Sequence, residues 1–235
     1  METSYTLKKD FEYRHRNPYH DKLENYAHFV MRDREAETFS GKWNKEVFQN
    51  DHPIAAEIGT GFGHFMLDYC RDHPAINFVG LDYRFKRSWQ LAKRIHRMNL
   101  TNIRYLRARG ERLHFIFGPK EVDDVFFFFP DPWPKKRQRK KRLFQSPLLE
   151  SVHRVLKPGG KFFIKTDHDH YASWMVAHFE NDPRWVVTLQ TNDLWNEHLG
   201  HFLTDYVTKF EKIFLAQKVP IKAFVLQKKE TGGPR

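Results

Sequence analysis

The chain has 235 residues, of which 40% are apolar and 16% aromatic, so it can form one domain with a large core, and intrinsic disorder is excluded. No stretch approaches the roughly 18 apolar residues that a membrane helix needs, and the first ten residues lack the apolar segment of a secretory signal. A net charge of +11 favours a polyanionic partner, and the lone Cys70 allows no internal disulfide, which predicts a cytoplasmic protein.

The predicted elements alternate between short apolar strands and helices. Residues 1–40 have weak periodicity and are predicted to be an N-terminal extension that helps to grip RNA, or a disordered tail, followed by one domain over residues 41–228 and a tail over residues 229–235. The predicted strands are 54–58, 78–81, 103–106, 125–129, 161–166, 185–189 and 221–227, and the predicted helices are 64–71, 85–99, 146–156 and 171–179. This alternation predicts an α/β fold with a mostly parallel, seven-stranded sheet and helices on both faces.

A glycine-rich turn follows the first of these strands and opens the first helix. Its spacing, G-x-G-x-G, differs from the G-x-G-x-x-G of dinucleotide-binding folds. Asp82 ends the next strand, where a carboxylate can accept both ribose hydroxyls of an adenosine, a feature that NAD shares. Glu57 would repel a pyrophosphate but suits a cofactor that carries an amino group and a sulfonium, so the pair favours S-adenosylmethionine over NAD. The candidate cofactor ligands in this turn are Glu57, Gly59, Gly61 and Gly63.

The segment Pro130-Asp131-Pro132-Trp133-Pro134 follows the apolar strand 125–129. Its three prolines stiffen the loop and hold Asp131 at the strand end, and Trp133 offers a flat face to a base or to packing. Seven of the eight residues 135–142 are Lys or Arg, and such residues contact phosphates. A basic run is usually a solvated surface, but beside a rigid acid at the ligand-binding edge of a sheet we interpret it as substrate binding.

The two motifs together resemble one known family. The sequences F-P-D-P-W-P-K-K-R and E-I-G-T-G-F-G are similar to those of the bacterial tRNA (guanine-N7)-methyltransferases, and the resemblance extends from about residue 41 to residue 225. It includes K-T-D at residues 165–167 and T-K-F-E at residues 208–211. The resemblance implies a Rossmann-like class I methyltransferase fold and methyl transfer from S-adenosylmethionine to N7 of the variable-loop guanosine, position 46, of tRNA.

The resemblance also implies roles for individual residues. Glu57 and Asp82 would bind the cofactor, and Asp131 would be the key catalytic residue, an active-site carboxylate that also lies close to the cofactor. Arg109 stands where the family usually has Asp or Asn beside the adenine, so Glu111 or backbone groups would hold that edge instead. The substrate contacts would come from Lys135, Asp167, Thr208, Lys209, Phe210 and Glu211. The partner implied is tRNA, with no membrane, no obligatory protein partner, and a monomer or homodimer.

Two other functions stay open at this point. One is an S-adenosylmethionine-dependent enzyme that acts on DNA, protein or a small molecule, and the other is a non-catalytic RNA-binding protein on a degenerate methyltransferase fold. The sequence T-D-H-D-H at residues 166–170 resembles a metal cluster, but alternate residues of a loop rarely converge on one ion, so no metal site is predicted. Cys70 is predicted to be a small buried side chain and not a nucleophile.

Overall fold

The computed structural model describes residues 17–32 and 34–229 of the chain. The strands are β1 (Val30–Arg32), β2 (Ile54–Ile58), β3 (Asn77–Asp82), β4 (Ile103–Arg107), β5 (Val122–Phe128), β6 (Leu156–Thr166), β7 (Trp185–Thr191) and β8 (Lys222–Lys228). The helices are α1 (Pro18–Lys22), α2 (His64–Asp72), α3 (Phe85–Met98), α4 (Leu113–Ile116), α5 (Ser146–Val155), α6 (Asp169–Phe179), α7 (Leu194–Glu197), α8 (Phe202–Asp205) and α9 (Lys209–Ala216).

The strands of the described residues form one sheet in the order β1-β4-β3-β2-β5-β6-β8-β7. Every neighbouring pair is parallel except those that involve β8, which runs antiparallel to both β6 and β7. This arrangement confirms the predicted α/β methyltransferase fold with its mostly parallel sheet. The sheet has eight strands where seven were predicted. The additional strand is β1, which pairs with β4 through Val30 and Tyr105 and comes from the segment predicted to be an extension.

One predicted boundary is wrong. The predicted helix 146–156 and the predicted strand 161–166 leave residues 157–160, which include Pro158-Gly159-Gly160, as a connection, but α5 ends at Val155 and β6 begins directly at Leu156. The pairing of β5 with β6 shifts register between Val122 and Asp124, so the proline and glycines lie in an irregular stretch of paired strand. Proline and glycine are tolerated in a sheet at such irregularities.

The core lies on both faces of the sheet, and β5 shows why. Phe126 packs with Phe65 of α2 at a ring distance of 4.7 Å, while its neighbour Phe127 packs on the opposite face with Phe144. Successive side chains of a strand point to opposite faces, so the part of a central parallel strand that is covered on both faces, here residues 125–128, is apolar at every position. The predicted burial of Cys70 is confirmed, in the same cluster as Phe65.

The order of the strands creates a crevice beside β2. From β2 the chain continues outward through β3 and β4 on one side, whereas β5 and β6 lie on the other. Connections that leave in opposite directions open a space at the carboxyl ends of the two central strands, where ligands of such sheets bind. Within residues 17–32 and 34–229 no helix combines the length and the apolar character that spanning a membrane requires.

Candidate active site

A cavity of about 580 Å³ lies at the carboxyl ends of β2, β3, β4 and β5. Its walls combine backbone of the glycine turn after β2 with side chains that follow the other three strands. Four of the residues predicted to bind the cofactor line it: Gly59, Asp82, Arg109 and Asp131. The structure therefore brings the two predicted motifs to one cavity, at the switch in strand order.

Two positions of the turn favour glycine for different structural reasons. Gly59 has a φ of +82°, and a Cβ added there would meet nothing within 4 Å. Gly63 has a φ of +69° and directly precedes α2, and a Cβ there would lie 2.3 Å from Leu91 Cδ1 of α3. Both backbones are in the left-handed region that favours glycine. Gly63 thus serves the packing of α2 against α3, while Gly59 forms part of the open cavity wall.

Asp82 joins this turn to the end of β3. Its Oδ2 accepts a hydrogen bond from Gly61 N at 3.1 Å, and its Oδ1 accepts one from Arg84 N at 2.9 Å. Arg87 Nη1 lies 3.5 Å from Oδ2. Burial raises the pKa of Asp82, although the hydrogen bond from Arg84 and the charge of Arg87 oppose this. The carboxyl group therefore organises the turn in addition to facing the cavity.

Glu57 is the most deeply buried acid of the predicted cofactor set, at 3% exposure. It does not line the cavity. Its Oε2 has no hydrogen-bond partner among the described residues. Burial raises its pKa to about 8, and the negative charge of Asp82 adds to this while Lys165 opposes it. A buried polar atom without a partner is rare and costly, so this carboxyl group is suited to a ligand that brings a positive charge.

Asp131 lies on the opposite side of the cavity, and its side chain is 68% exposed. The loop that carries it leaves β5 through an unusual backbone, because Phe129 and Trp133 have φ values of +50° and +41°. Left-handed conformations of bulky residues are rare and cluster at functional sites. Arg84 Nη2 lies 3.7 Å from Asp131 Oδ2, an exposed pair that contributes little stability but orients the carboxylate.

The basic run after this loop forms a short 3-10 helix over residues 136–141. Six of the seven cations in residues 135–142 are exposed, and Lys140 and Lys141 line the cavity. Lys135 is exposed at the start of the helix but does not line the cavity. The seventh cation, Arg142, is 2% exposed. The run therefore borders the cavity with positive charge, as the sequence suggested, except at its last residue.

The segment 208–211 starts α9 and contacts the glycine turn, but it does not line the cavity. Thr208 begins the helix, and its side chain accepts a hydrogen bond from Glu211 N at 3.2 Å. Lys209 Nζ lies 5.2 Å from the ring of Phe62, which belongs to the glycine turn, and Phe210 is exposed. Lys209 thus lies beside the glycine turn, and both Lys209 and Phe210 are accessible to a substrate.

Glu211 differs from its neighbours because its side chain is 0% exposed. Its carboxylate accepts hydrogen bonds from Lys165 Nζ at 2.6 Å and from Trp195 Nε1 at 3.1 Å. A carboxylate enclosed in this way has no surface for an RNA, so the direct substrate contact expected of it does not fit this geometry. Its structural part here is to hold α9 against β6.

Asp167 directly follows β6 at the same edge of the sheet. It is half-buried, burial raises the pKa of its carboxyl group, and it does not line the cavity. No group of three or more His, Cys, Asp and Glu side chains that could hold a metal ion is found in the described part of the chain.

Several cavity residues were not predicted as ligands. Tyr83 and Ala108 directly follow the ends of β3 and β4, a position that could have identified them. Glu111, the predicted alternative to Arg109, also lines the cavity. The guanidinium of Arg109 lies 5.0 Å from the ring of Tyr83. Leu143 also lines the cavity but comes after the basic run, and only the folded chain shows that it returns to this site.

The fold is shared with solved methyltransferases. A 16S rRNA methyltransferase, KamB, superposes with a TM-score of 0.59 at 16% identity, covering 81% of this chain and 95% of that one. An antibiotic-related methyltransferase superposes with a TM-score of 0.53 at 14% identity, covering 79% of this chain and 92% of that one. At these identities the likeness concerns the fold.

Sequence relatives are more informative. The family model described as "Putative methyltransferase" matches residues 51–224. A bifunctional glycosyltransferase/methyltransferase of Fusobacterium nucleatum subsp. nucleatum is 34% identical over 200 residues, which cover 85% of this chain but only 30% of that protein. The tRNA (guanine-N(7)-)-methyltransferase of Christiangramia forsetii is 30% identical, with 77% of this chain and 81% of that enzyme covered.

The tRNA (guanine-N(7)-)-methyltransferase of Enterococcus faecalis is 33% identical over 189 residues, with 80% of this chain and 86% of that enzyme covered. The family model spans the cavity and the loop of Asp131 alike. By these matches, the chain is a methyltransferase that belongs to the family of the tRNA (guanine-N(7)-)-methyltransferases.

Proposed function

We propose that this methyltransferase uses S-adenosylmethionine to methylate N7 of the variable-loop guanosine, position 46, of tRNA. The observation that carries the proposal is a cavity with two unlike sides. The buried carboxyl group of Asp82 and the glycine turn after Glu57 form one side, while Asp131 and exposed cations border the other. The two relatives named for activity on tRNA guanine N7 support the choice of substrate.

The residues present fit the methyl donor. The cavity volume of about 580 Å³ is within the range of about 300–1,000 Å³ that small-molecule sites have. The unpartnered Oε2 of Glu57 suits the positive charge of an amino group or a sulfonium, and Asp82 at the end of β3 faces the cavity where ribose hydroxyls would lie. Arg109 and Glu111 would flank the adenine.

The reaction requires little acid–base chemistry from the protein. When bound, the donor supplies a methyl group on a positively charged sulfur, so the methyl group is already activated. Guanine N7 carries a free lone pair, and no proton has to be removed before it attacks. The chain's residues therefore contribute mainly by positioning the two reactants in line and by electrostatic stabilisation.

Asp131 would act on the guanine. Its carboxylate is exposed at the cavity, at the end of a stiff loop, and can accept the N–H donors of the base. The base gains positive charge as the bond to N7 forms, and a nearby carboxylate stabilises that charge. Asp131 thus orients the guanine and stabilises its developing charge without serving as an obligatory proton acceptor.

The remaining substrate contacts divide by chemistry. Lys135 and the exposed cations of residues 136–141 would bind phosphates, while Thr208, Lys209 and Phe210 would contact the nucleotides beside the glycine turn. Asp167 would lie at the edge of the bound nucleotide, and Glu211 would fix the position of the segment 208–211 from inside the protein.

The experiment that tests the proposal uses an unmodified tRNA transcript and a donor with a labelled methyl group. The expected result is one labelled guanosine in the variable loop, identified by chain cleavage at the alkali-sensitive 7-methylguanosine. A transcript with adenosine in place of that guanosine is the matched control and should take up no label. Label at another position would contradict the choice of nucleotide, and label in DNA or protein but not in tRNA would contradict the substrate class.

A further inference from the structure

The stretch between Asp82 and Glu111 has an unusual charge distribution. Residues 83–110 contain nine Lys or Arg and no Asp or Glu. Helix α3 occupies the middle of this stretch, and at its start Arg84 and Arg87 line the cavity. A solvated helix commonly carries charges of both signs, so a helix whose only charges are positive is suited to bind an anionic partner.

Three cations of α3 share one face of the helix, on which Lys86 and Arg97 are exposed and Lys93 is partly exposed. Lys86, Lys93 and Arg97 are spaced by seven and four residues, which aligns them along the helix together with Trp89. The opposite face is buried in the core through Ser88, Leu91, Ala92 and Ile95. From Lys86 to Arg97 the helix rises about 17 Å at 1.5 Å per residue, so this face leads well away from the cavity.

Two lysines on this face, Lys93 of α3 and Lys22 of α1, contact an aromatic ring and not a carboxylate. Lys93 Nζ lies 3.9 Å from the ring of Trp89, and Lys22 Nζ from α1 lies 4.9 Å from the same ring. By contrast, Arg71 of α2 pairs with Asp68 and Asp72. No ion pair among the described residues involves Lys22, Lys86, Lys93 or Arg97. A cation–π contact orders an ammonium group while leaving its charge uncompensated.

We propose that the α3 ridge, defined as Lys22, Lys86, Lys93 and Arg97, binds backbone phosphates of the tRNA that lie outside the target nucleotide. The ridge is continuous with the cavity through Arg84 and Arg87, and its charge complements a polyanion. The proposal rests on the proposed function for the identity of the RNA.

The test compares two triple variants that remove the same number of charges. The first is Lys86→Gln/Lys93→Gln/Arg97→Gln. The control is Lys45→Gln/Arg154→Gln/Lys161→Gln, three exposed residues close to the amino ends of the strands. Binding of unmodified tRNA without a methyl donor is measured by gel shift at several salt concentrations, and KM for tRNA is measured in parallel.

The ridge variant is expected to bind tRNA at least tenfold more weakly, with a salt slope lower by about two to three. The control should stay within about twofold of the parental chain, and donor affinity should be unchanged in both. Equal tRNA affinity for the two variants would overturn the proposal. Binding to phosphatidylserine vesicles is measured as well, and a ridge variant that loses vesicle binding but keeps parental tRNA binding would also overturn it. A parental chain that binds tRNA but methylates none would contradict the proposed function and not the ridge.

A different observation, independent of the ridge, concerns Arg142. This last cation of the basic run is 2% exposed, and its Nε donates a hydrogen bond to Pro132 O at 2.8 Å. The guanidinium lies 4.8 Å from the ring of Tyr171 and 5.1 Å from the ring of Trp174, both on α6. It therefore cannot contact an RNA as its neighbours can.

Arg142 holds the loop of Asp131 from one side. On the other side, Phe129 N donates to Lys165 O of β6 at 2.8 Å. Asp131 lies between these two attachment points, while its own side chain is mostly exposed. Since Tyr171 and Trp174 are fixed on α6, the contact to Pro132 transmits that rigidity to the loop.

We infer that Arg142 is a positioning residue for Asp131 and contributes nothing to phosphate binding. The inference rests on the proposed function only for its kinetic readout. The variants are Arg142→Met, Arg142→Lys, which keeps the charge but loses the planar guanidinium, and Lys136→Met as the comparison within the same run.

Both Arg142 variants are expected to lower kcat at least tenfold, with an unchanged salt slope of tRNA binding. Lys136→Met should raise KM for tRNA and lower the slope by about one. Hydrogen exchange at residues 131 and 133 should rise in both Arg142 variants and stay parental in Lys136→Met, a readout that needs no methylation. A salt slope reduced by Arg142→Met, or a parental kcat in Arg142→Lys, would overturn the inference.

Discussion

The two sides of the cavity are built in opposite ways. On the side of β2 and β3, Glu57 and Asp82 are buried, and Asp82 is hydrogen-bonded to the backbone of the turn that it supports. On the side of β5, Asp131 and six cations of the basic run are exposed. The first side is organised by folding before any ligand arrives, whereas the second attracts its ligand by exposed charge. The two sides should therefore respond to different perturbations.

Salt should separate the two sides by the largest factor. If the six exposed cations of residues 135–141 each neutralise a phosphate, tRNA affinity falls by about a thousandfold between 50 mM and 200 mM salt. Donor affinity should change by less than about twofold, because the carboxyl groups on its side are buried. Fluorescence titrations of each ligand at four salt concentrations measure both slopes. Equal salt slopes for tRNA and donor would contradict the distinction between the two sides of the cavity.

Replacing the carboxylate of Asp131 sharpens the comparison on the exposed side. Asp131→Asn should lower kcat by about a hundredfold, the size of effect that loss of one electrostatic group has in other active sites. Donor and tRNA affinities should stay within about threefold, since the loop and the cations are unchanged. Single-turnover methylation measures the rate, and Asp51→Asn, an exposed acid just before β2, is the control. A parental rate in Asp131→Asn would remove that residue from the chemistry.

A pair of glycine variants separates packing from ligand binding on the buried side. Gly63→Ala should lower the free energy of unfolding by about 2–3 kcal/mol, because its Cβ would overlap Leu91 and its φ is positive. Gly59→Ala has open space, so it should lower that free energy by only about 1 kcal/mol while placing a methyl group in the cavity wall. Denaturant unfolding and donor titration together check the pair. If neither variant weakened donor binding, the donor would bind at another place.

The raised pKa of Glu57 predicts a smaller, pH-dependent effect. With a pKa of about 8, the carboxyl group is mostly protonated at pH 7 in the ligand-free protein. A cationic donor favours its ionised form, so donor affinity should rise roughly tenfold between pH 7 and pH 8.5 and then level off. Calorimetry in buffers of different ionisation enthalpy should detect proton release on binding. Glu57→Gln should abolish both effects, and a rising profile in that variant would assign them to another group.

The same pKa has a consequence for stability. The unfolded chain releases the proton of Glu57 near its ordinary pKa of 4.5, whereas the folded chain keeps it until about pH 8. The unfolded state is therefore favoured progressively as the pH rises from about 4.5 to 8, and the free energy of unfolding of the ligand-free protein falls over that window. Glu57→Gln removes this dependence.

The sequence predicted best where local pattern decides structure. Strand β2, the glycine turn and Asp82 follow from apolar runs that end in small or acidic residues, and the fold places them as expected. Strand β1 escaped prediction because a three-residue strand leaves no measurable periodicity and exists only through its pairing with β4.

Burial of charged residues was the other feature that pattern could not show. Arg142 is a cation like those before it, and Glu211 directly follows the exposed Lys209 and Phe210 of its motif. What buries them is distant in sequence: Tyr171 and Trp174 for Arg142, and Lys165 for Glu211. A single sequence carries no sign of such contacts, so both residues were grouped with their neighbours.

The central claim is that the cavity brings a methyl donor to N7 of a guanosine beside Asp131. A tRNA with 7-deazaguanosine at the target position tests this directly, because that base has a C–H group in place of N7 and keeps its Watson–Crick edge. The modified tRNA should bind with parental affinity and take up no methyl group at that position, while the unmodified tRNA is fully methylated. Methylation of the 7-deazaguanosine at the parental rate would contradict the account.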